Sequence, residues 1–156
     1  MSELHIRIAG EHDLETIVAL YADDILGKGR EAADVMELAP YREGLARVIA
    51  SPATDIYVAE RDGAVIGTFQ LTLTPGVAQK GVIRATIEAV RTRADLRGQG
   101  IGAHMMRFVM AKARANGAGF IQLTSNNERI DAHRFYLQLG FKHSHAGFKY
   151  DLRNPV

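Results

Sequence analysis

Three glycines at alternate positions, Gly98, Gly100 and Gly102, follow Arg97 and lead into an apolar helical pattern. The first N–H groups of a helix lack backbone acceptors, and the helix dipole favours an anion beside them. Glycine lets an anion approach the backbone closely because it has no Cβ, although it loses more conformational entropy on folding. The pattern predicts a loop that binds phosphate or pyrophosphate; a turn that only packs a strand against a helix is the alternative.

Two common phosphate-binding signatures do not fit this loop. A P-loop requires Gly-Lys-Ser/Thr, whereas this loop continues Gly100, Ile101, Gly102, Ala103. The dinucleotide fingerprint is formally matched by Gly98, Gly100 and Ala103. It also requires an acidic residue after the next strand, and that strand ends in "QLTSNN". Too little chain follows for a doubly wound sheet. The loop is therefore predicted to bind a different phosphate-bearing ligand.

Hydrophobic periodicity predicts an α+β chain with a mixed sheet. Asp13 is expected to cap the first helix, and one parallel connection is expected from the strand at 82–92 through a helix to the strand at 120–125. The predicted strands cover 4–9, 55–60, 64–74, 82–92 and 120–125, with a closing hairpin at 141–152 that turns near residues 146–147. The predicted helices lie at 13–26, within 30–50, at 99–115 and at 129–139.

Composition narrows the class of protein. The chain of 156 residues suits a single domain, 1–156, and its net charge of +1 argues against a dedicated nucleic-acid partner. The absence of cysteine excludes thiolate nucleophiles and cysteine-ligated metals. No apolar run is long enough to cross a bilayer, and the first residues lack a signal-peptide core. We expect a cytoplasmic protein that binds neither membrane nor nucleic acid.

Two motifs resemble those of the GNAT superfamily of N-acetyltransferases. Arg97-x-x-Gly100-x-Gly102 matches the R/Q-x-x-G-x-G/A signature, and "IEAVRTRADLRGQGIG" is similar to the family's strand four and pyrophosphate loop. "AHRFYLQLGF" resembles a later family helix, in which a tyrosine is followed shortly by Gly-Phe. The predicted order of elements is also the family's. The C-terminal stretch is most similar to the aminoalkylphosphonate N-acetyltransferase type.

The resemblance implies a GNAT fold and a site for acetyl-CoA as cosubstrate. The fold would be a mixed, mostly antiparallel sheet, flanked by helices, with a V-shaped opening between strands four and five. The pantetheine arm would pair with the backbone of Val90, Arg91 and Thr92. The pyrophosphate would bind the loop amides of Arg97, Gly98, Gln99, Gly100, Ile101 and Gly102.

The resemblance also implies catalytic roles for Glu88 and Tyr136. Glu88 would accept a proton from the acceptor amine, directly or through water, and Tyr136 would supply one to the leaving thiolate. The family's acid next to Glu88 is replaced by Ala89. Strand alternation places Glu88 on the face of Arg84 and Val90, so an ion pair with Arg84 is an alternative role for the carboxylate. A partly buried helix aromatic is the alternative for Tyr136.

One position departs from the family pattern. Many relatives carry an asparagine seven residues before the tyrosine, where this chain has Arg129. Asn126 or Asn127 is a substitute for its polar contact with CoA. Arg129, two helical turns from Tyr136, is either a ligand of a CoA phosphate or a solvated arginine.

The reaction implied is direct transfer of an acetyl group to the primary amine of a small molecule. The alternatives are a protein lysine or N-terminal acetyltransferase and a non-catalytic acyl-CoA-binding module. Arg30, Lys80 and Arg84 are candidates to hold an anionic acceptor, or are ordinary surface charges. His143 and His145 lie on one face of the predicted hairpin without an evident third ligand, so no metal site is predicted. Family members are often dimers, so a homodimer is a further expectation.

Overall fold

A computed structural model describes residues 2–23 and 37–154 and divides into two compact units, Met1–Leu123 and Thr124–Val156. The first unit contains strands β1 His5–Ile8, β2 Thr54–Arg61, β3 Ala64–Thr74, β4 Ile83–Thr92 and β5 Ala118–Gln122. Its helices are α1 Leu14–Ala22, α2 Ala39–Ala50, the short α3 Ala78–Gly81 and α4 Ile101–Ala115. The second unit contains α5 Ile130–Gln138.

The strands form one sheet in the order β1-β2-β3-β4-β5. The first four pair antiparallel, and β5 pairs parallel with β4. The parallel pair requires a crossover, which α4 provides. The mixed, mostly antiparallel sheet predicted from the sequence is confirmed.

Helices cover both faces of this sheet. Consecutive apolar residues of β2 are buried, and their side chains point to opposite faces in turn. Ile56 and Val58 belong to a buried cluster with Ile17 of α1 and Leu45 of α2. Tyr57 lies between them in sequence, so its side chain is on the opposite face. There its ring meets Phe108 of α4 at a centroid distance of 5.2 Å. α4 therefore packs on the face opposite α1 and α2.

Asp13 is the N-cap residue of α1, as predicted, but its side chain does not cap the helix. Asp13 ends a short 3-10 turn with φ −86° and ψ −8°, and its side chain makes no cap hydrogen bond to α1. Because Asp13 is already in a helical conformation, its carboxylate points towards the residues that precede it. There it accepts a hydrogen bond from the Gly10 N–H at 2.8 Å. Arg7 donates to the same carboxylate at 2.7 and 2.9 Å. Asp13 thus joins β1 to the start of α1.

The secondary structure predicted for the C-terminal segment also differs from the structure. The predicted hairpin at 141–152 is wrong, since residues 141–154 form no strand. A hairpin requires an apolar face that packs against something, and Phe148, Tyr150 and Leu152 are all exposed. Pro40 lies in the first turn of α2, where its missing N–H is tolerated.

Within the described residues, no helix combines the length and the apolar composition needed to span a bilayer.

Candidate functional site

The site is organised by a β-bulge at Ala89 in β4. Gln70 of β3 opposes Glu88, but Thr68 opposes Arg91, so β4 contains one extra residue between these pairs. Ala89 accommodates it with a φ of +51°, which is rare for a residue other than glycine. The predicted common face of Glu88 and Val90 is therefore wrong, because the extra residue shifts the alternation.

The bulge turns Arg91 towards the face that α1 covers. Its guanidinium carbon lies 5.9 Å from the centroid of the Tyr21 ring, within the range of a cation–π contact. Opposed residues of a strand pair share a face, so Glu88 and Arg91 are on the same side of the sheet. This is the side of α1 and α2.

β4 and β5 separate where the bulge begins. The two strands pair from Ile83 with Ala118 to Thr86 with Gln122, while β4 continues to Thr92. In the described part of the chain, no strand pairs with residues 87–92 on that side. Such an edge offers unpaired N–H and C=O groups to an extended, amide-bearing ligand. The predicted V-shaped opening is confirmed.

The three residues predicted to pair with a pantetheine arm lie along this open edge. Val90, Arg91 and Thr92 are all partly buried. The Val90 carbonyl already accepts a hydrogen bond of 2.9 Å from Nη1 of Arg91. The N–H of a ligand amide would donate to the second lone pair of the Val90 carbonyl oxygen, or it would replace the Arg91 side chain there.

The glycine loop has a backbone suited to an anion. Gly98 and Gly100 have φ angles of +78° and +81°, in the left-handed region that glycine adopts without steric penalty. Gly100 directly precedes α4, whose first residue is Ile101. Within the described chain, no residue accepts a hydrogen bond from the N–H groups of residues 98–103. Gly98, Gln99 and Gly100 are exposed, so the donors of this part of the loop are accessible to a ligand.

Arg97 connects the loop to α1. Its Nη2 donates to the carbonyl oxygen of Asp23 at 3.4 Å, and the Asp23 carboxylate accepts the Ala94 N–H at 2.9 Å. The guanidinium thus interacts with the residue that follows α1. Its charge remains next to the loop, but one of its donors is already used.

Glu88 is exposed and stands at the end of a row across three strands, Ile56–Gln70–Glu88. Nε2 of Gln70 donates to its Oε2 at 3.4 Å. Among the residues described, Arg84 forms no ion pair with Glu88. The carboxylate is therefore accessible. Sequence analysis missed Gln70, because its opposition to Glu88 depends on strand register and no motif marks it.

Tyr136 belongs to the second unit and is fixed by the way α5 ends. The Phe141 N–H donates to the Tyr136 carbonyl at 3.1 Å, and the Gly140 N–H donates to the Leu137 carbonyl at 3.0 Å. With Gly140 at φ +94°, these bonds form a Schellman motif. The Tyr136 and Phe141 rings meet edge-on at 5.5 Å, which is the apolar contact typical of the motif. The Gly-Phe of the sequence motif therefore positions the tyrosine.

The residues before α5 have distinct places. Oδ1 of Asn126 accepts the Glu128 N–H at 2.9 Å, and the Asn126 carbonyl accepts the Arg129 N–H at 3.0 Å. Arg129 is the N-cap residue of α5. Asn127 is exposed. Asn126 is thus part of the turn, which leaves Asn127 as the asparagine better placed to contact a ligand.

The remaining candidates are dispersed. Arg84 lines a small cavity of about 130 Å³ beside Gly76 and Phe120, and Lys80 lies in the turn before β4 with φ +62°. Arg30 lies outside the described residues. His143 and His145 are not on a strand, so their predicted common face is wrong.

No cluster of three or more His, Asp or Glu side chains suited to a metal occurs in residues 2–23 and 37–154.

A sheet that opens beside a bulged strand, followed by a loop of accessible amides at a helix start, defines an acyltransferase of the acetyl-CoA-dependent class. The chain belongs to the GNAT acetyltransferase family, whose model matches residues 14–141. It is thus an acyltransferase enzyme, and the predicted family and fold are confirmed.

Relatives of known sequence or structure extend this comparison. The chain is 28% identical to the aminoalkylphosphonate N-acetyltransferase of Salmonella typhimurium over 148 residues, covering 95% of this chain and 91% of the relative. A Bacillus halodurans C-125 protein described as a transcriptional regulator is 39% identical, with a TM-score of 0.93 over 96% of this chain and all of the other. A putative acetyltransferase from Agrobacterium tumefaciens is 26% identical, with a TM-score of 0.83 over 94% and 99% of the two chains.

Proposed function

We propose that this protein transfers the acetyl group of acetyl-CoA to the primary amine of a small molecule by direct attack. The observation that carries the proposal is the position of Glu88. It is accessible, it directly precedes the bulge, and it lies on the unpaired edge of β4. A thioester held along that edge would lie within a few residues of the carboxylate, at about 3.3 Å per residue.

Each part of the proposed site has a separate task. The amides of residues 98–102 bind the pyrophosphate, with Arg97 adding charge. The backbone of Val90, Arg91 and Thr92 orients the pantetheine arm, and Asn127 and Arg129 contribute polar contacts to CoA. Acetyl-CoA supplies the acetyl thioester.

The reaction requires proton transfer from the amine and to the thiolate, and each gives a role to one of the proposed catalytic residues. A simple amine has a pKa near 10 and arrives as ammonium, which cannot attack. Glu88 accepts the proton, directly or through water, so that the neutral amine forms the new C–N bond. The C–S bond breaks, and the Tyr136 hydroxyl gives its proton to the departing thiolate. The second proton, which the nitrogen loses as it becomes an amide, returns to the Tyr136 phenolate, and Glu88 releases the first proton to solvent. A backbone N–H of β4 stabilises the charge on the acetyl oxygen.

The name of the Salmonella relative supports an amine acceptor of low molecular mass. The protein from Bacillus halodurans, described as a transcriptional regulator, favours the alternative of a module that binds acyl-CoA without turnover. Acetylation of a protein lysine or N-terminus is the third possibility. A homodimer stays a prediction from the resemblance, and a cytoplasmic location stays a prediction from the composition.

The test is release of free CoA from acetyl-CoA, measured with a thiol reagent against a panel of amines and lysine peptides. The protein has no cysteine, so it contributes no thiol background. Amine-dependent release supports the proposal. Release with peptides alone favours protein acetylation, and acetyl-CoA binding without release with any acceptor favours the non-catalytic module.

A further inference from the structure

A cavity of about 350 Å³ lies in the first unit between α1, α2 and the sheet. Its lining includes Ile17 and Tyr21 of α1, Tyr41 and Val48 of α2, and Gln70 of β3. None of the described side chains that line the cavity is charged. The volume falls within the range of small-molecule sites, whose walls are mostly apolar with a few polar groups.

Gln70 joins this cavity to the proposed base. Its side chain lines the cavity, and its Nε2 donates to Oε2 of Glu88. Ile56, which also lines the cavity, is the next residue of the same cross-strand row. An amine positioned at Glu88 would therefore have the remainder of its structure directed into the cavity.

We infer that the acceptor is a primary amine with an uncharged, apolar body, of the arylalkylamine or short alkylamine class. This inference rests on the proposed function. The ammonium group pairs with Glu88, and the body packs among Tyr21, Tyr41 and Val48. Burial of apolar surface favours binding of such a body, and tyrosine rings also attract the edges of another aromatic ring.

The described lining favours an apolar body over an anionic one. A phosphonate between the two helices would lose its hydration, and none of the described lining residues is a cation that would compensate for this loss. Arg84 lines a different and smaller cavity, near the start of β4, four residues from Glu88 in sequence. The inferred acceptor thus differs from the aminoalkylphosphonate named for the Salmonella relative.

The first experiment compares 2-phenylethylamine, n-butylamine and 2-aminoethylphosphonate as acceptors by CoA release. We expect kcat/KM for 2-phenylethylamine to exceed that for 2-aminoethylphosphonate at least tenfold. A preference for the phosphonate would overturn the inference while leaving amine acetylation intact. Absence of release with every acceptor would instead reject the proposed function.

A second experiment fills the cavity. Gly44 of α2 lines it, and a Cβ built there meets no atom within 4 Å. In Gly44→Leu, the new side chain occupies the cavity, so we expect KM for 2-phenylethylamine to rise at least tenfold. The preference over methylamine should fall by a similar factor. Ala46→Leu places the same side chain at an exposed position of the same helix and serves as the control.

Calorimetry with 2-phenylethylamine at saturating CoA provides a readout independent of turnover. Binding that Gly44→Leu weakens and Ala46→Leu does not would support the cavity as the acceptor site. Equal affinity in wild type and Gly44→Leu, with both proteins folded by circular dichroism, would overturn it.

Discussion

Gln70 and Glu88 face each other across β3 and β4 at the last regular pair before the bulge, with 3.4 Å between Nε2 and Oε2. This contact holds the carboxylate between the apolar cavity and the open edge of β4. One side of the pair is suited to the acceptor and the other to the donor. A proton acceptor at this junction can reach the amine when it meets the thioester.

Replacing Glu88 by glutamine tests this role. Glu88→Gln retains the shape of the side chain and an oxygen that accepts from Gln70, but it removes the base. Since general-base catalysis contributes roughly 10²–10⁴-fold, we expect kcat/KM near neutral pH to fall about 100-fold. The pH–rate profile should move to higher pH, where more of the amine is neutral. A profile identical to that of wild type would remove Glu88 as the base.

Replacing Tyr136 by phenylalanine separates proton donation from packing. Tyr136→Phe retains the edge-on ring contact with Phe141 and the Schellman motif of α5. We expect kcat to fall about tenfold or more, because general-acid contributions are of this size or larger. The dissociation constant of acetyl-CoA, measured by calorimetry, should change little. Wild-type turnover in this variant would contradict the role.

The left-handed conformation of Gly100 provides a test of the donor loop. Gly100→Ala forces a Cβ into φ +81°, which costs about 1–2 kcal/mol, and should weaken acetyl-CoA binding as the loop rearranges. Gly63, in the turn between β2 and β3, has a similar φ of +76° and equal open space around its Cβ. Gly63→Ala should therefore lower stability to a similar extent without weakening acetyl-CoA binding. Equal affinities for the two variants would argue against the loop as the pyrophosphate site.

Asp13 makes stability depend on acid pH. Its hydrogen bonds with Arg7 lower the pKa of the buried carboxyl below 3.8, burial opposes the shift, and the Gly10 N–H adds to it. The resulting stabilisation is complete above the unfolded pKa and is lost as pH falls through the folded one. We expect Asp13→Asn to lower the free energy of unfolding by about 1–3 kcal/mol at pH 7.

This difference should shrink below about pH 4, because the carboxyl of the unfolded chain is then protonated and the folded protein has to release that proton. Urea denaturation across pH 3–7 measures both effects. Asp95→Asn, which alters an exposed pair with Arg93, is the control and should follow the wild-type curve closely. A difference that stays constant down to pH 3 would contradict the assignment.

The Tyr57 hydroxyl is buried without a hydrogen-bond partner among the described residues. Burial of the phenol raises its pKa. Tyr57→Phe removes the unsatisfied group and keeps the stacking on Phe69 and the edge-on contact with Phe108, so the free energy of unfolding should rise by about 1 kcal/mol. Tyr57→Leu, which loses the ring contacts, should lower it. Destabilisation by Tyr57→Phe would show that the hydroxyl has a partner.

The sequence was informative where local chemistry decides the structure. Alternating glycines before an apolar helix predicted a loop of accessible amides, and the Gly-Phe after Tyr136 marked the end of a helix. The bulge could not be predicted, because alanine is not a residue that favours φ +51° and nothing else in β4 signals it. The face shared by Glu88 and Arg91 was missed for this reason.

The prediction of a C-terminal hairpin was wrong for a different reason. Its alternation of apolar and polar residues is typical of a strand, but a strand forms only when its apolar face finds a partner. The cavity also could not be predicted from the sequence. Tyr21, Tyr41 and Val48 have the spacing of ordinary core residues, and only the positions of two helices over the sheet leave space between them.

The contacts of Asp23 with Ala94 and Arg97 make the end of α1 and the start of the donor loop one hydrogen-bonded assembly. Tyr21, two residues before Asp23, lines the acceptor cavity. A donor that shifts Arg97 would therefore displace the wall against which the acceptor packs. By linkage, each substrate would change the affinity of the other by the same factor. The cooperativity between the two substrates would then be a property of this short connection.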